Sequence, residues 1–177
     1  MILSIKAHLK DFLKNGYIKN VNKRELDNSE GVGLDLTVNK LYIINDEIAF
    51  LGKDYRKTPS ATELLPNKDG LYEITKKYAY LVETKEVFDL PMNIFCRFYP
   101  RSTLFRSGIQ FQASILSHGY NGPMIFSINN TRDLSFFIEK GARFSTAVFE
   151  LVDGESNPYA GQWNGGRVFQ KNSERQV

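Results

Sequence analysis

Apolar residues at Ile5, Leu9, Phe12 and Leu13 recur at helical spacing. That spacing predicts an amphipathic helix over 4–15, with Ser4 as N-cap and Gly16 at its end. From 20 to 31 the run Asn-Val-Asn-Lys-Arg-Glu-Leu-Asp-Asn-Ser-Glu-Gly is polar and reads as a loop. Beyond it the pattern changes to short runs rich in β-branched and aromatic residues. These predict strands at 34–37, 40–44, 47–51, 70–74, 78–83, 86–88, 94–98, 109–112, 124–128, 135–138 and 145–151. Breakers such as Asn39, Asp46, Gly52, Pro91, Gly108, Gly119, Gly122 and Gly141 separate them. Residues 53–69, with Pro59 and Pro66, read as a polar loop. The tail from Gly154, rich in Gly, Asn and Gln, reads as mobile in isolation. Many short strands divided by turn signals point to a sandwich, jelly roll or distorted barrel. No internal repeat and no domain boundary interrupts 1–177, which reads as one domain.

Composition narrows the class. With 42% hydrophobic and 24% charged residues the chain is an ordinary soluble one, and 13 Phe with 9 Tyr lean toward sheet. The net charge of +3 is spread out, whereas nucleic-acid binding shows a concentrated basic stripe, so no nucleic-acid partner is expected. A small polyanion needs only a few placed cations. The single cysteine, Cys96, excludes an intrachain disulfide and a cysteine zinc cluster, and beside Ile94, Phe95 and Phe98 it reads as a buried core thiol. No apolar run approaches the roughly 18 residues of a membrane span, and charge at Lys6 interrupts the start as a signal peptide would not. The expectation is a cytoplasmic protein with no membrane partner.

The chain has no Walker A loop, GxGxxG, HExxH or GxSxG motif, and no zinc deaminase signature. The most informative stretch is Pro100-Arg101-Ser102-Thr103-Leu104-Phe105-Arg106-Ser107-Gly108-Ile109. Two guanidinium groups five residues apart, with hydroxyls beside the first, can meet several phosphate oxygens at once. Spacing alone leaves this open between a phosphate grip and a solvated turn.

Read with its surroundings, the stretch resembles the R-S-[ST]-L-x-R-x-G motif of the dCTP deaminase branch of the dUTPase superfamily. Leu90-Pro91 precedes it, as a Leu-Pro pair does in that family. Upstream, Gly31-Val32-Gly33-Leu34-Asp35-Leu36-Thr37-Val38 resembles the family's early D-[LV]-R-[LV] strand. Downstream, Gly119-Tyr120-Asn121-Gly122 resembles its G-[FYW]-x-G hairpin turn, and Asn130 sits near the family's Asn. Glu139-Lys140-Gly141-Ala142-Arg143-Phe144 is similar to its P-G-x-R-[IF] turn, and Asn157-Pro158-Tyr159 with Gly161-Gln162-Trp163-Asn164-Gly165 to its P-Y-x-G-x-Y-Q-G tail. The likeness spans nearly the whole chain and is weakest over 53–77.

The resemblance implies a mainly β fold, a distorted jelly-roll or β-barrel (the dUTPase-like β-clip) with an N-terminal helix, assembled as a homotrimer with a site at each subunit interface. It implies that Arg101, Ser102 and Arg106 bind the triphosphate of dCTP or dUTP. A magnesium ion would be shared among the phosphates, with no metal ligand from protein side chains. The hairpin at 115–122, with Tyr120, would line base and sugar. Residues 154–177, through Tyr159, Gln162 and Asn164, would fold over the nucleotide as a flexible lid.

Two positions depart from the family. Its dUTPases carry an aspartate just before the hairpin turn, where this chain has Ser117, and its deaminases a glutamate five residues after the second turn glycine, where it has Ser127. These are the candidate catalytic positions. Deamination needs a group that takes a proton from water and returns it to the ring, a role contributing on the order of a hundred- to ten-thousand-fold, and an unassisted serine is too weak a base for it. His118 is the nearest acid–base side chain, one residue off and facing the opposite way if the turn follows the family; the alternative is an exposed turn histidine. Arg143 and Asp35 read as structural, the first bracing a turn and the second tying backbone amides together. The expected function is pyrimidine deoxynucleoside triphosphate processing, either dUTP hydrolysis to dUMP and pyrophosphate or dCTP deamination to dUTP. The alternative is a catalytically impaired relative that binds nucleotide as a sensor or regulator.

Overall fold

In the computed structural model, which describes residues 1–176, the opening helical pattern becomes a ten-residue helix that buries Ile5, Leu9 and Phe12. Ser4 stands at its N-cap without a side-chain capping bond. The chain starts with β1 (Ile2–Leu3), α1 (Ile5–Lys14), β2 (Ile18–Lys19) and α2 (Lys23–Asn28). Seven strands follow: β3 (Leu34–Ile44), β4 (Phe50–Leu51), β5 (Tyr55–Lys57), β6 (Ala61–Leu64), β7 (Leu71–Ile74), β8 (Ala79–Asp89) and β9 (Ile94–Pro100). A one-turn helix, α3 (Ser102–Arg106), leads to β10 (Ile109–Gln112), β11 (Asn121–Asn130), β12 (Phe136–Glu139) and β13 (Arg143–Leu151). The last strand, β14 (Glu174–Arg175), lies in the tail.

Nine strands join in one antiparallel sheet along the path β1-β13-β3-β8-β11-β10, with β2 on β8, β6 on β3 and β9 on β13. The long β3 gives the sheet its curl. Its first residues pair with β13 (Leu34 opposite Ala147) and its later ones with β8 (Val38 opposite Thr84, Ile43 opposite Tyr80), the β8 ladder shifting register between Val38 and Lys40. An irregularity of this kind bends a strand and lets one sheet wrap around its own core. That core is aromatic: Phe98 and Phe126 lie 4.9 Å apart between ring centres, Phe126 and Phe144 5.9 Å, and Phe12 and Phe149 5.2 Å edge to face. Cys96 is fully buried among them, and burial pushes its thiol well above the ordinary value.

Two polar runs hold structure that their side chains do not advertise. Residues 20–31 contain α2, whose N-cap Asn22 accepts from the Arg24 amide at 2.9 Å, and whose Glu25 is buried. The run at 53–69 contains β5 and β6, the latter paired to β3 from Leu41 opposite Leu64 to Ile44 opposite Ala61. Strand pairing there is a backbone transaction, satisfied without an alternating apolar face. One acid lies inside the sheet: Glu86 is fully buried and accepts from the Thr37 amide (2.9 Å) and hydroxyl (2.8 Å). Burial pushes its carboxyl above the usual range against those two bonds. Among the described residues no helix is long and apolar enough to cross a membrane.

Candidate functional site

The segment between β10 and β11 is anchored where Cys96 and Leu116 exchange backbone bonds at 2.9 and 2.8 Å. From that anchor it runs through Ser117 and His118 to a turn with Gly119 at φ +84° and Gly122 at φ +148°. The tail crosses directly over this turn. A side chain at Gly119 would put its Cβ 2.8 Å from Pro158 Cβ, and one at Gly122 would put it 2.7 Å from the Gly165 carbonyl carbon. Glycine is therefore required twice, by backbone conformation and by the close approach of the tail. The Tyr159 amide donates to the His118 carbonyl at 2.8 Å, and Asn164 Oδ1 accepts from the Asn121 amide at 2.7 Å. Tyr159 and Tyr120 meet edge to face with ring centres 5.7 Å apart. The buried Tyr120 hydroxyl donates to the Pro123 carbonyl, and burial pushes its pKa up to about 12.

Beneath the tail lies a cavity of about 390 Å³. Ser117, Tyr120 and Tyr159 line it together with Ile125 and Leu81 from the strands and Trp163 from the tail. Its walls are dominated by apolar and aromatic side chains, the usual character of a small-molecule pocket of this size. Arg167 is the one charged residue among the described residues that line it, and they include no Asp, Glu or His. The alternation of β11, buried at even and half-buried at odd positions, puts Ser127 on the same outer face as Ile125, opposite Leu81 and Gln112 in register. Ser127 is not among the lining residues.

Arg101, Ser102 and Arg106 stand apart from this cavity. Arg101 is the N-cap residue of α3, and its guanidinium is held by Asp35. Asp35 is itself buried, and it also accepts from Arg143 (2.8 Å) and from the Thr146 hydroxyl (2.7 Å). Behind it the buried Glu25 accepts from Arg24 at 2.7 Å and from the Asp35 amide at 3.3 Å. Desolvation, and then the neighbouring Arg143 charge, hold the Arg101 pKa below its ordinary value. Ser102 and Arg106 are exposed on α3.

A family model for dCTP deaminase-like proteins matches residues 2–152. This chain belongs to the dCTP deaminase-like family. Among relatives, a probable deoxyuridine 5′-triphosphate nucleotidohydrolase of Methanothermobacter thermautotrophicus is 28% identical over 138 residues, covering 74% of this chain and 84% of that protein. The deoxyuridine 5′-triphosphate nucleotidohydrolase of Methanocaldococcus jannaschii is 25% identical over 152 residues, covering 82% and 96%. The crystal structure of 2′-deoxycytidine 5′-triphosphate deaminase from Agrobacterium tumefaciens superposes with a TM-score of 0.66 at 18% identity. That match covers 85% of this chain and 48% of the other, so this chain spans about half the length of that deaminase and shares its fold.

Within one family member, then, the expected site residues fall into two groups. Ser117, Tyr120 and Tyr159 converge on the cavity, with Asn164 fastened beside them at the turn and the Gln162 side chain held by Arg56 at 2.9 Å. Arg101, Ser102 and Arg106 form the second group around α3. His118 is corrected from an exposed turn residue: it is 3% exposed, its Nε2 finds no partner among the described residues, and it faces a different cavity, which it shares with Asp153 and Asn157. The apolar walls near it, Phe95 and Leu151, account for its burial. Asp35 is corrected too, since it binds two guanidinium groups and a hydroxyl rather than tying amides together. The tail, expected as a flexible lid over 154–177, contacts the hairpin turn through Pro158, Tyr159, Asn164 and Gly165, and its last residue, Val177, falls outside the described residues.

Arg56, Arg167 and Glu174 had no signal in the sequence, whereas Trp163 fell within the tail stretch that resembles the family. Arg56 lies in a run without periodicity, and its carboxylate partner Glu174 is 118 residues away.

Proposed function

We propose that this chain binds a pyrimidine deoxynucleoside triphosphate, dUTP or dCTP, and has lost the ring chemistry of its deaminase relatives. Base and sugar would occupy the cavity lined by Ser117, Tyr120 and Tyr159. The triphosphate would reach Arg101, Ser102 and Arg106 of another copy in a homotrimer, which is why the two groups need not meet within one chain. The observation that carries this reading is the lining itself: aromatic walls suited to a base and, among the described residues, no carboxylate or histidine to move a proton. With serine at 117, no Asp, Glu or His among the described residues lining the cavity is there to take a proton from water and return it to the cytosine ring. A role as nucleotide sensor or regulator follows.

A second reading, hydrolysis of dUTP to dUMP and pyrophosphate, is favoured by the names of the archaeal relatives. It demands less of the protein, because a magnesium ion on the phosphates lowers the pKa of bound water and offsets charge on the leaving group. Among the described residues no three His, Cys, Asp or Glu side chains gather as a metal-ligand set, so magnesium would arrive with the nucleotide.

Incubation with dCTP and with dUTP in the presence of magnesium separates the readings. Thermal stabilisation without ammonia or pyrophosphate is the expected result. Pyrophosphate from dUTP would establish the second reading. Ammonia from dCTP at an enzymatic rate, or no stabilisation by either nucleotide, would contradict the first.

A further inference from the structure

The tail is fastened to the body by a cluster unlike an ordinary surface ion pair. Arg56 of β5 donates to Glu174 Oε1 through Nε at 3.0 Å and Nη2 at 2.8 Å. Arg167 donates to the same carboxylate, through Nη1 to Oε2 at 3.0 Å and through Nη2 to Oε1 at 2.7 Å. Both guanidinium carbons also sit over the Trp163 ring, 4.8 Å and 4.6 Å from its centre. Trp163 and Arg167 are walls of the cavity. All three charged side chains are largely withdrawn from water, with exposures of 18% for Arg56, 34% for Arg167 and 16% for Glu174.

Two positive groups thus share one negative group, leaving an excess of one charge beside the cavity. The donors are also underused. Arg167 Nε is buried with no partner among the described residues, and a buried N–H without an acceptor is costly. A phosphate presents more oxygens and more charge than a carboxylate, and two forked guanidinium groups suit it better. The single carboxylate comes from a two-residue strand near the end of the chain, paired only to β5, so it can leave without disturbing the core.

We propose that Arg56 and Arg167 form an anion seat beside the cavity, occupied in the free protein by the Glu174 carboxylate and taken over by a phosphate group when nucleotide binds. The seat stands on its own geometry; that its natural ligand is a nucleotide phosphate rests on the nucleotide reading above. Glu174 then acts as an internal competitor, and the tail's closure and ligand binding are two outcomes at one pair of arginines. Gln162, whose Oε1 accepts from Arg56 Nη2 at 2.9 Å, reports on the same exchange.

The test is calorimetric titration of the full chain with inorganic tripolyphosphate and, separately, with dUTP. Glu174→Gln keeps the side chain's size and removes its charge. It should bind both ligands about tenfold more tightly than the wild type. Arg56→Lys, in the otherwise native chain, keeps a charge but loses the fork, and should bind both about tenfold more weakly. Unchanged or weaker binding by Glu174→Gln, or unchanged binding by Arg56→Lys, would overturn the proposal and leave Glu174 as a simple clip. If Glu174→Gln gains affinity for tripolyphosphate while dUTP binds no better than tripolyphosphate, the seat stands and the nucleotide reading falls. If dUTP binds the wild type and both variants equally, the nucleotide reading stands and the seat falls.

Discussion

Arg143 donates at 2.8 Å to Asp35 Oδ2, the same oxygen that holds Arg101. One carboxylate from β3 thereby fixes a guanidinium at the start of α3 and another at the start of β13, with Thr146 on its second oxygen. The phosphate grip proposed for Arg101 is thus set on a rigid base rather than carried on a loop. Asp35→Ala would leave two neighbouring cations without their shared partner. Breaking a buried pair costs about 3–5 kcal/mol, and with both arginines roughly a quarter exposed a loss of about 2–3 kcal/mol is expected. Urea unfolding measures it, and a loss below about 0.5 kcal/mol, the range of ordinary surface substitutions, would show that the cluster holds nothing in place.

Arg106 is exposed on α3, and the fold does not need its side chain. Arg106→Ala should leave the melting temperature of the free protein unchanged and abolish the stabilisation given by dUTP with magnesium. Stabilisation that survives the substitution would place the phosphate site elsewhere.

The sheet is largely legible in the sequence because β-branched and aromatic runs between glycines are what an antiparallel sheet curled on an aromatic core requires. The family likeness follows from the same ordered turns. What stayed hidden depends on partners far away in the chain. α2 rests on Asn22 and on the burial of Glu25 beside Asp35, and β5 and β6 on backbone pairing that side chains do not announce. The separation of Ser117, Tyr120 and Tyr159 from Arg101 and Arg106 within one chain is a matter of three-dimensional placement, which no local spacing encodes. The absence of a carboxylate at 117 and 127 was visible, whereas the Arg56–Glu174–Arg167 cluster was not.

Glu86 makes stability depend on pH. Its folded carboxyl titrates above the unfolded one, because burial outweighs the two Thr37 bonds. The folded state therefore holds the proton more tightly. Its contribution is fully present below the unfolded carboxylate value of about 4.3 and is lost as pH rises through the folded value. Glu86→Gln should remove this slope, gaining stability relative to the wild type at pH 7 and little at pH 4. Parallel stability–pH curves for the two proteins would contradict that assignment.

The glycine turn is expected to control the tail. At Gly122 a Cβ would meet Gly165 backbone at 2.7 Å, in a φ region that disfavours side chains. Gly122→Ala should cost about 1–3 kcal/mol locally. The readout is tryptic cleavage after Arg167 and Lys171, which should become faster. An unchanged rate would mean that the tail does not depend on this contact.

The most direct test of the central claim is a crystal structure with a non-hydrolysable dUTP analogue and magnesium. The prediction is a base seated against Tyr120 and Tyr159 in the cavity of one copy, with phosphates on Arg101 and Arg106 of another and no carboxylate within reach of the ring. A nucleotide bound away from that cavity, or a neighbouring copy's Asp or Glu placed against the base, would contradict it.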